Sequence, residues 1–285
     1  MAWWALGALG LIEAGDGNAP RAASSRTLLP PRQVGFPVPV RSRPALAVLV
    51  CLAAILAACG RAGDGAHDSA GCIAPGTEAN AERAILVRCV EINCRRIALT
   101  FDVTLDTDSR ALGDVLSALA AAGAPATFSV TGLWAEQHPG LLNAITAAGH
   151  QLINGGYHGV SFTGASTGSA PLTPGEITSE LSRTETTVFR MTSRSTRPFF
   201  RPPHGDYDDG TLGAASGAGY NQAILWSIDT TSAHDIAARL RDVPHGAIIR
   251  IPLHAGTASA LRSVIDTLRE QRYGLERLSD LLATE

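Results

Sequence analysis

Residues 96–130 read RIALTFDVTLDTDSRALGDVLSALAAAGAPATFSV, and their pattern decides the fold class. Arg96-Ile97-Ala98-Leu99-Thr100-Phe101 reads as a strand. Leu112, Val115, Leu116 and Leu119 then fall on one helical face, and Ala126-Thr127-Phe128-Ser129-Val130 reads as a strand again.

The alternation runs to the end of the chain. A helix is predicted over 135–148, a short strand near 150–154, and a long loop through 161–170. Thr173-Pro174-Gly175-Glu176 has capping-box spacing with proline at the first helical position, so it opens a helix whose inner face carries Ile177, Leu181 and Val188. Further strands are expected over 198–201, 222–228 and 247–253, with helices near 209–218 and 233–241. A helix over 257–271 and the segment 278–282 close the chain. Strands alternating with helices in this way argue for an α/β fold with a parallel sheet, open or closed into a barrel; periodicity does not choose between them. With 285 residues, 45% of them hydrophobic, the chain can bury one substantial core, and one domain with tails is expected.

Net charge and residue choice exclude some partners. A formal charge of −3 and a pI near 6.2 argue against a nucleic-acid binder, which presents a basic face. All 23 cationic side chains are arginine, and no lysine occurs.

Residues 41–59 form a short basic stretch followed by an apolar run of signal-peptide length, too short to span a membrane comfortably. The run ends in Leu56-Ala57-Ala58-Cys59-Gly60, which resembles a bacterial lipobox. Cys59 would then carry lipid, become the mature N-terminus and anchor the chain to a membrane. Residues 40–59 are accordingly read as signal peptide. Residues 1–39 do not fit the scheme: either the export signal is unusually long, or translation starts at Val38 or Val40. Residues 60–87 are read as a flexible linker and 88–285 as the domain. Export leaves Cys72, Cys89 and Cys94 in an oxidising compartment. Cys89 and Cys94 flank a four-residue loop and are the expected disulfide, with Cys72 as an odd or competing partner.

Four stretches together resemble the polysaccharide deacetylase family, the NodB-homology domain of carbohydrate esterase family four. They are Leu99-Thr100-Phe101-Asp102, Gly149-His150-Gln151-Leu152-Ile153-Asn154, Phe200-Arg201-Pro202-Pro203-His204-Gly205 and Leu253-His254-Ala255-Gly256. The resemblance implies a distorted (β/α) barrel with its site at the C-terminal ends of the strands, where barrels place their chemistry. It also implies removal of acetyl groups from N- or O-acetylated sugars, by a divalent metal, usually zinc, with a carboxylate base and a histidine acid.

Carried over position by position, Asp102 matches the base, Arg201 the arginine that orients it, and His254 the general acid. Pro202, His204, Gly205, Trp226 and Asp229 match positions that line the substrate site. Arg201 also suits a structural ion pair, and a histidine after a strand is often structural. Arg250-Ile251-Pro252 looks like a two-residue insertion before His254, and Asp106 and Asp108, in the loop after the first strand, are placed to line the mouth or, as the more expected use, to cap the next helix. The family's metal-ligand positions fall on Val103, Gly155 and Gly159, none with a side-chain donor, so no cofactor is expected. A relocated site would need Asp102, His158 and His204. Three functions compete on this reading: an envelope deacetylase with an atypical metal site, a non-catalytic protein that binds acetylated wall glycan such as peptidoglycan, and a purely structural lipoprotein.

Overall fold

The computed structural model describes residues 72–74, 77, 82–230, 239–240 and 242–283. The expectations for residues 1–39, for the signal segment and lipidated Cys59, and for most of the helix near 233–241 lie outside these residues.

The elements in chain order are β1 (Cys72–Ile73), β2 (Ile85–Val87), β3 (Cys89–Val90), β4 (Arg96–Val103), α1 (Ser109–Ala122), β5 (Thr127–Val130), α2 (Gly132–Gln137), α3 (Pro139–Ala147) and β6 (Gln151–Asn154). There follow α4 (Pro174–Thr192), β7 (Phe199–Phe200), α5 (Asp209–Gly217), β8 (Gln222–Ile224), β9 (Ile228–Asp229), β10 (Ile248–Ile251), α6 (Thr257–Glu270), β11 (Gly274–Glu276) and α7 (Leu278–Leu282). The main sheet runs β2-β8-β7-β6-β5-β4-β10-β9, with β11 also on β4, and its ladders are parallel. Helices cover this curled sheet, giving the distorted (β/α) barrel expected of the chain. No ladder among the described residues joins β9 to β2. The chain itself crosses that seam, where Leu225 N–H donates to Val87 O at 2.8 Å and Ser227 N–H to Ile248 O at 3.0 Å.

Local chemistry accounts for the elements. In β4, Ile97, Leu99, Phe101 and Val103 are all fully buried with Ala98 between them, as in a parallel strand covered on both faces. Asp108 caps α1 by accepting from Arg110 N–H at 2.8 Å, and Gly123 ends the helix at a left-handed φ of 55°. At α4 the capping box is complete: Thr173 N–H donates to Glu176 Oε2 at 2.7 Å, and Glu176 N–H to Thr173 Oγ1 at 3.3 Å. The single helix expected over 135–148 is instead two, broken at His138. Proline at 139 disfavours helical backbone in the residue before it, and His138 sits at φ −128°, ψ 53°.

Two expectations near the start of the domain need correction. The disulfide joins Cys72 to Cys89, while Cys94 is buried outside it. In the short parallel ladder of β1 and β3, Cys72 lies directly opposite Cys89, so a pairing of strands distant in sequence outcompetes the nearby cysteine. The ordered fold also begins before residue 88. Ile85–Val87 pairs with β8 and Val87 is fully buried, so part of the expected linker is an edge strand of the sheet.

Candidate functional site

The C-terminal ends of the strands enclose a cavity of about 290 Å³. It lies near the lower end of ligand-pocket sizes (~300–1,000 Å³). Its floor is the end of β4. Asp102 is followed there by Val103, and the adjacent β5 contributes Ser129, with Thr131 beyond it.

Arg201 leaves the end of β7 and is almost fully buried. Its Nη1 donates to Asp102 Oδ1 at 2.8 Å, Nη2 to Thr100 Oγ1 at 2.9 Å and Nε to the Ile224 carbonyl at 3.1 Å. The guanidinium is thus spent on β4 and β8 as well as on the carboxylate, so it fixes the barrel and the site together. Arg250, in the middle of β10, holds the other carboxylate oxygen. Its Nε donates to Asp102 Oδ2 at 2.8 Å, its Nη1 to Asp229 Oδ2 at 3.0 Å, and its Cζ lies 4.5 Å from the centre of the Trp226 ring. Burial pushes the Asp102 carboxyl up, but Arg201 and Arg250 together more than offset it, so the group lies below its ordinary range and is ionised near neutrality.

The wall opposite is the turn Pro202–Gly205. His204 takes a left-handed φ of 60° and Gly205 one of 77°, and a Cβ on Gly205 would stand 3.1 Å from the Trp226 ring. Glycine lets this turn press against the tryptophan. Pro202, His204, Gly205 and Trp226 all line the cavity.

Asp229 does not line it; it stands behind Arg250 and anchors that side chain. His254 is likewise absent from the lining. Its Nδ1 lies 3.0 Å from Ala255 O and 3.2 Å from Thr257 Oγ1 at the start of α6, while Pro252 and Leu253 of the same loop face the cavity. Of the two loop aspartates, Asp106 lines the cavity and Asp108 caps α1.

Val103, Gly155 and Gly159, the positions the resemblance assigns to metal ligands, gather around this cavity beside Asp102. A metal does not fit the residues present. Val103 is a buried hydrocarbon, neither glycine offers a side-chain donor, and both oxygens of Asp102 are engaged by arginines. The space for ligands is filled too: a Cβ at Gly155 would lie 3.0 Å from Ser129 Oγ and 3.1 Å from the Val130 carbonyl oxygen, and Gly159 has a left-handed φ of 75°. The relocated site fails on geometry. His158 Nδ1 is 2.6 Å from Glu180 Oε1, and the other oxygen of Glu180 accepts the Tyr157 and His158 backbone N–H groups at 2.8 Å each. Among the described residues, no three histidine, cysteine, aspartate or glutamate side chains gather in metal-binding positions.

Arg250 is the main site residue that motif reading passed over. The visible signal was an arginine inside the otherwise apolar run Ala247-Ile248-Ile249-Arg250-Ile251, since a charge in a covered parallel strand needs a partner at the strand's end.

Comparison with known proteins bears on the same residues. A sequence profile of the polysaccharide deacetylase family matches residues 90–223. The peptidoglycan-N-acetylmuramic acid deacetylase PdaA of Bacillus subtilis (strain 168) is 25% identical over 168 residues, which span 55% of this chain and 60% of that protein. A family 4 carbohydrate esterase from Bacillus anthracis superposes with a TM-score of 0.59 at 25% identity, over 69% of this chain and 86% of that one. A CE4 family pseudoenzyme from Bacillus anthracis superposes with a TM-score of 0.62 at 23% identity, over 69% of this chain and 68% of that one. With its motifs in family order around one barrel mouth and the profile running from β3 to β8, this chain belongs to the polysaccharide deacetylase family.

Proposed function

We propose that this chain is an exported, lipid-anchored envelope protein that holds N- or O-acetylated wall glycan, such as peptidoglycan, in the cavity around Asp102 and does not hydrolyse it through a metal. The observation that carries this reading is the state of Asp102. A general base must take a proton from the water it activates, and here a guanidinium N–H at 2.8 Å on each carboxylate oxygen holds Asp102 in its ionised form and makes it a weak base. The family's acid histidine and metal ligands are also missing from the cavity wall. What remains suits binding: an aromatic face at Trp226, apolar Pro202, Pro203 and Leu253, and the polar groups of Asp106, Ser129 and Thr131. The peptidoglycan named for the Bacillus subtilis relative supports wall glycan as the ligand class, and the lipobox-like Leu56-Ala57-Ala58-Cys59 supports the envelope as the place. The hydrolytic reading with a relocated metal is disfavoured by the tie between His158 and Glu180.

Calorimetric titration with an N-acetylglucosamine tetramer and with soluble peptidoglycan fragments, run beside an acetate-release assay, tests the proposal. Saturable binding is expected for at least one of them, weakened about tenfold by Trp226→Ala, with acetate release at the blank rate whether or not zinc is added. Acetate release that depends on zinc and on Asp102, or no binding of either glycan, overturns the reading.

A further inference from the structure

We propose that Arg250 is the built-in cation of this pocket: it replaces the divalent ion of the family's deacetylases and keeps a metal out even when ligand side chains are supplied. This rests on the metal-free reading of the pocket but goes beyond the loss of ligands, because it assigns an active role to a residue that none of the motifs contains.

The position is the first argument. Arg250 stands opposite Thr100 in the ladder between β10 and β4, which brings its side chain to Asp102 in the cavity shared with Val103, Gly155 and Gly159. Its tether is the second. Nε is held by Asp102, Nη1 by Asp229, and Cζ lies over the Trp226 ring, so withdrawal would break two charge-assisted hydrogen bonds and a cation–π contact together.

Charge is the third argument. In the metal-bound arrangement that the resemblance implies, the base aspartate and its arginine cancel, and a divalent ion beside a second carboxylate leaves one positive unit. Here Asp102 and Arg201 cancel, and Arg250 supplies the positive unit beside them, balanced on its far side by Asp229. Unlike a bound ion, this charge is covalently part of the chain, so it cannot be chelated or exchanged. The pocket is thus already neutralised from within, and an entering divalent ion meets a fixed like charge rather than an unbalanced carboxylate. Arg201 cannot play this part, because it is buried on the strands and bonded to backbone carbonyls on the far side of Asp102.

Cobalt(II) titration followed by visible absorbance decides the matter in two proteins, V103D/G155H/G159H and the same triple variant carrying R250M. Binding at least about a hundredfold tighter in the protein with methionine at 250 is expected, since a unit charge held a few ångströms from a divalent ion in a partly buried site is worth several RT. Equal affinities in the two proteins overturn the proposal. No binding in either means that crowded position 155 and left-handed position 159 reject histidine. In that case, or if thermal melts show that the histidine variants do not fold, the decision passes to V103D with and without R250M, titrated with terbium(III), a hard cation that takes carboxylate oxygens. Sensitised emission only in the protein lacking Arg250 supports the proposal; the same emission in both, or none in either, overturns it. Glycan binding by the unmodified chain is measured separately, so failure here leaves the binding function standing, and failure there leaves this test valid.

Discussion

Replacing Arg201 with methionine is expected to lower the free energy of unfolding by about 3–5 kcal/mol, the range for removing one member of a buried ion pair. Methionine keeps much of the volume, so the loss is electrostatic rather than a cavity effect. Four acceptors lose their donor: Asp102 Oδ1, Thr100 Oγ1 and the carbonyls of Ile224 and Leu225. Arg250 still holds the other oxygen of Asp102, which keeps the cost within that range rather than beyond it. Arg201→Lys should recover only a small part, since one ammonium cannot serve β4 and β8 in the planar geometry of a guanidinium. Denaturant titrations with a shared slope measure the change. A loss below about 1 kcal/mol for Arg201→Met would place the pair among weak surface contacts and contradict the central role given to it here.

The second large effect is expected at Gly246. Its φ of 71° is left-handed, and an added Cβ would overlap the Val90 carbonyl oxygen and stand 2.8 Å from its carbon. The backbone on both sides is committed, with Val90 N–H donating to Gly246 O at 2.9 Å and Gly246 N–H to Arg96 O at 2.8 Å. Gly246→Ala therefore combines backbone strain of about 1–2 kcal/mol with overpacking of about 1–3 kcal/mol, a total of about 2–5 kcal/mol. Gly113→Ala is the matched control. Gly113 lies within α1 with nothing near its Cβ position, so the same change there should stabilise by roughly 0.5–1 kcal/mol. If Gly246→Ala is as harmless as Gly113→Ala, the segment around β3 is not packed against the start of β10, and the revised start of the domain falls with it.

How much of this was legible in the sequence depended on the range of the signal. Short-range chemistry read well. The Thr173 to Glu176 capping box and the strand, helix, strand order of residues 96–130 are local, and they appear as α4 and as β4-α1-β5. The break at His138 is also local, set by the proline that follows it, while the apolar spacing of 135–148 runs on across the break. Long-range pairing read poorly. Cys72 meets Cys89 only because β1 and β3 form a ladder, and no spacing rule encodes that. Ile85–Val87 is three residues long beside a polar stretch, and only its neighbour β8 makes it a strand.

At the site, motif order brought Asp102 and Arg201 together across 99 residues, and they meet at 2.8 Å. The motif around His254 did not carry the same precision: that ring sits against Thr257 at the start of α6 and does not line the cavity. Arg250 belongs to the stretch that looks like an insertion, yet it is a β10 residue, and the folded chain uses it as the second partner of the carboxylate.

One titration decides whether the cavity of this deacetylase-family chain keeps its charge balance without a metal. Zinc added to metal-stripped protein, followed by calorimetry, should show no saturable binding at the barrel mouth, because Val103, Gly155 and Gly159 present no donors and Asp102 is held by two arginines. Saturable binding at micromolar or lower zinc that is lost in Asp102→Ala and in His158→Ala would contradict the account.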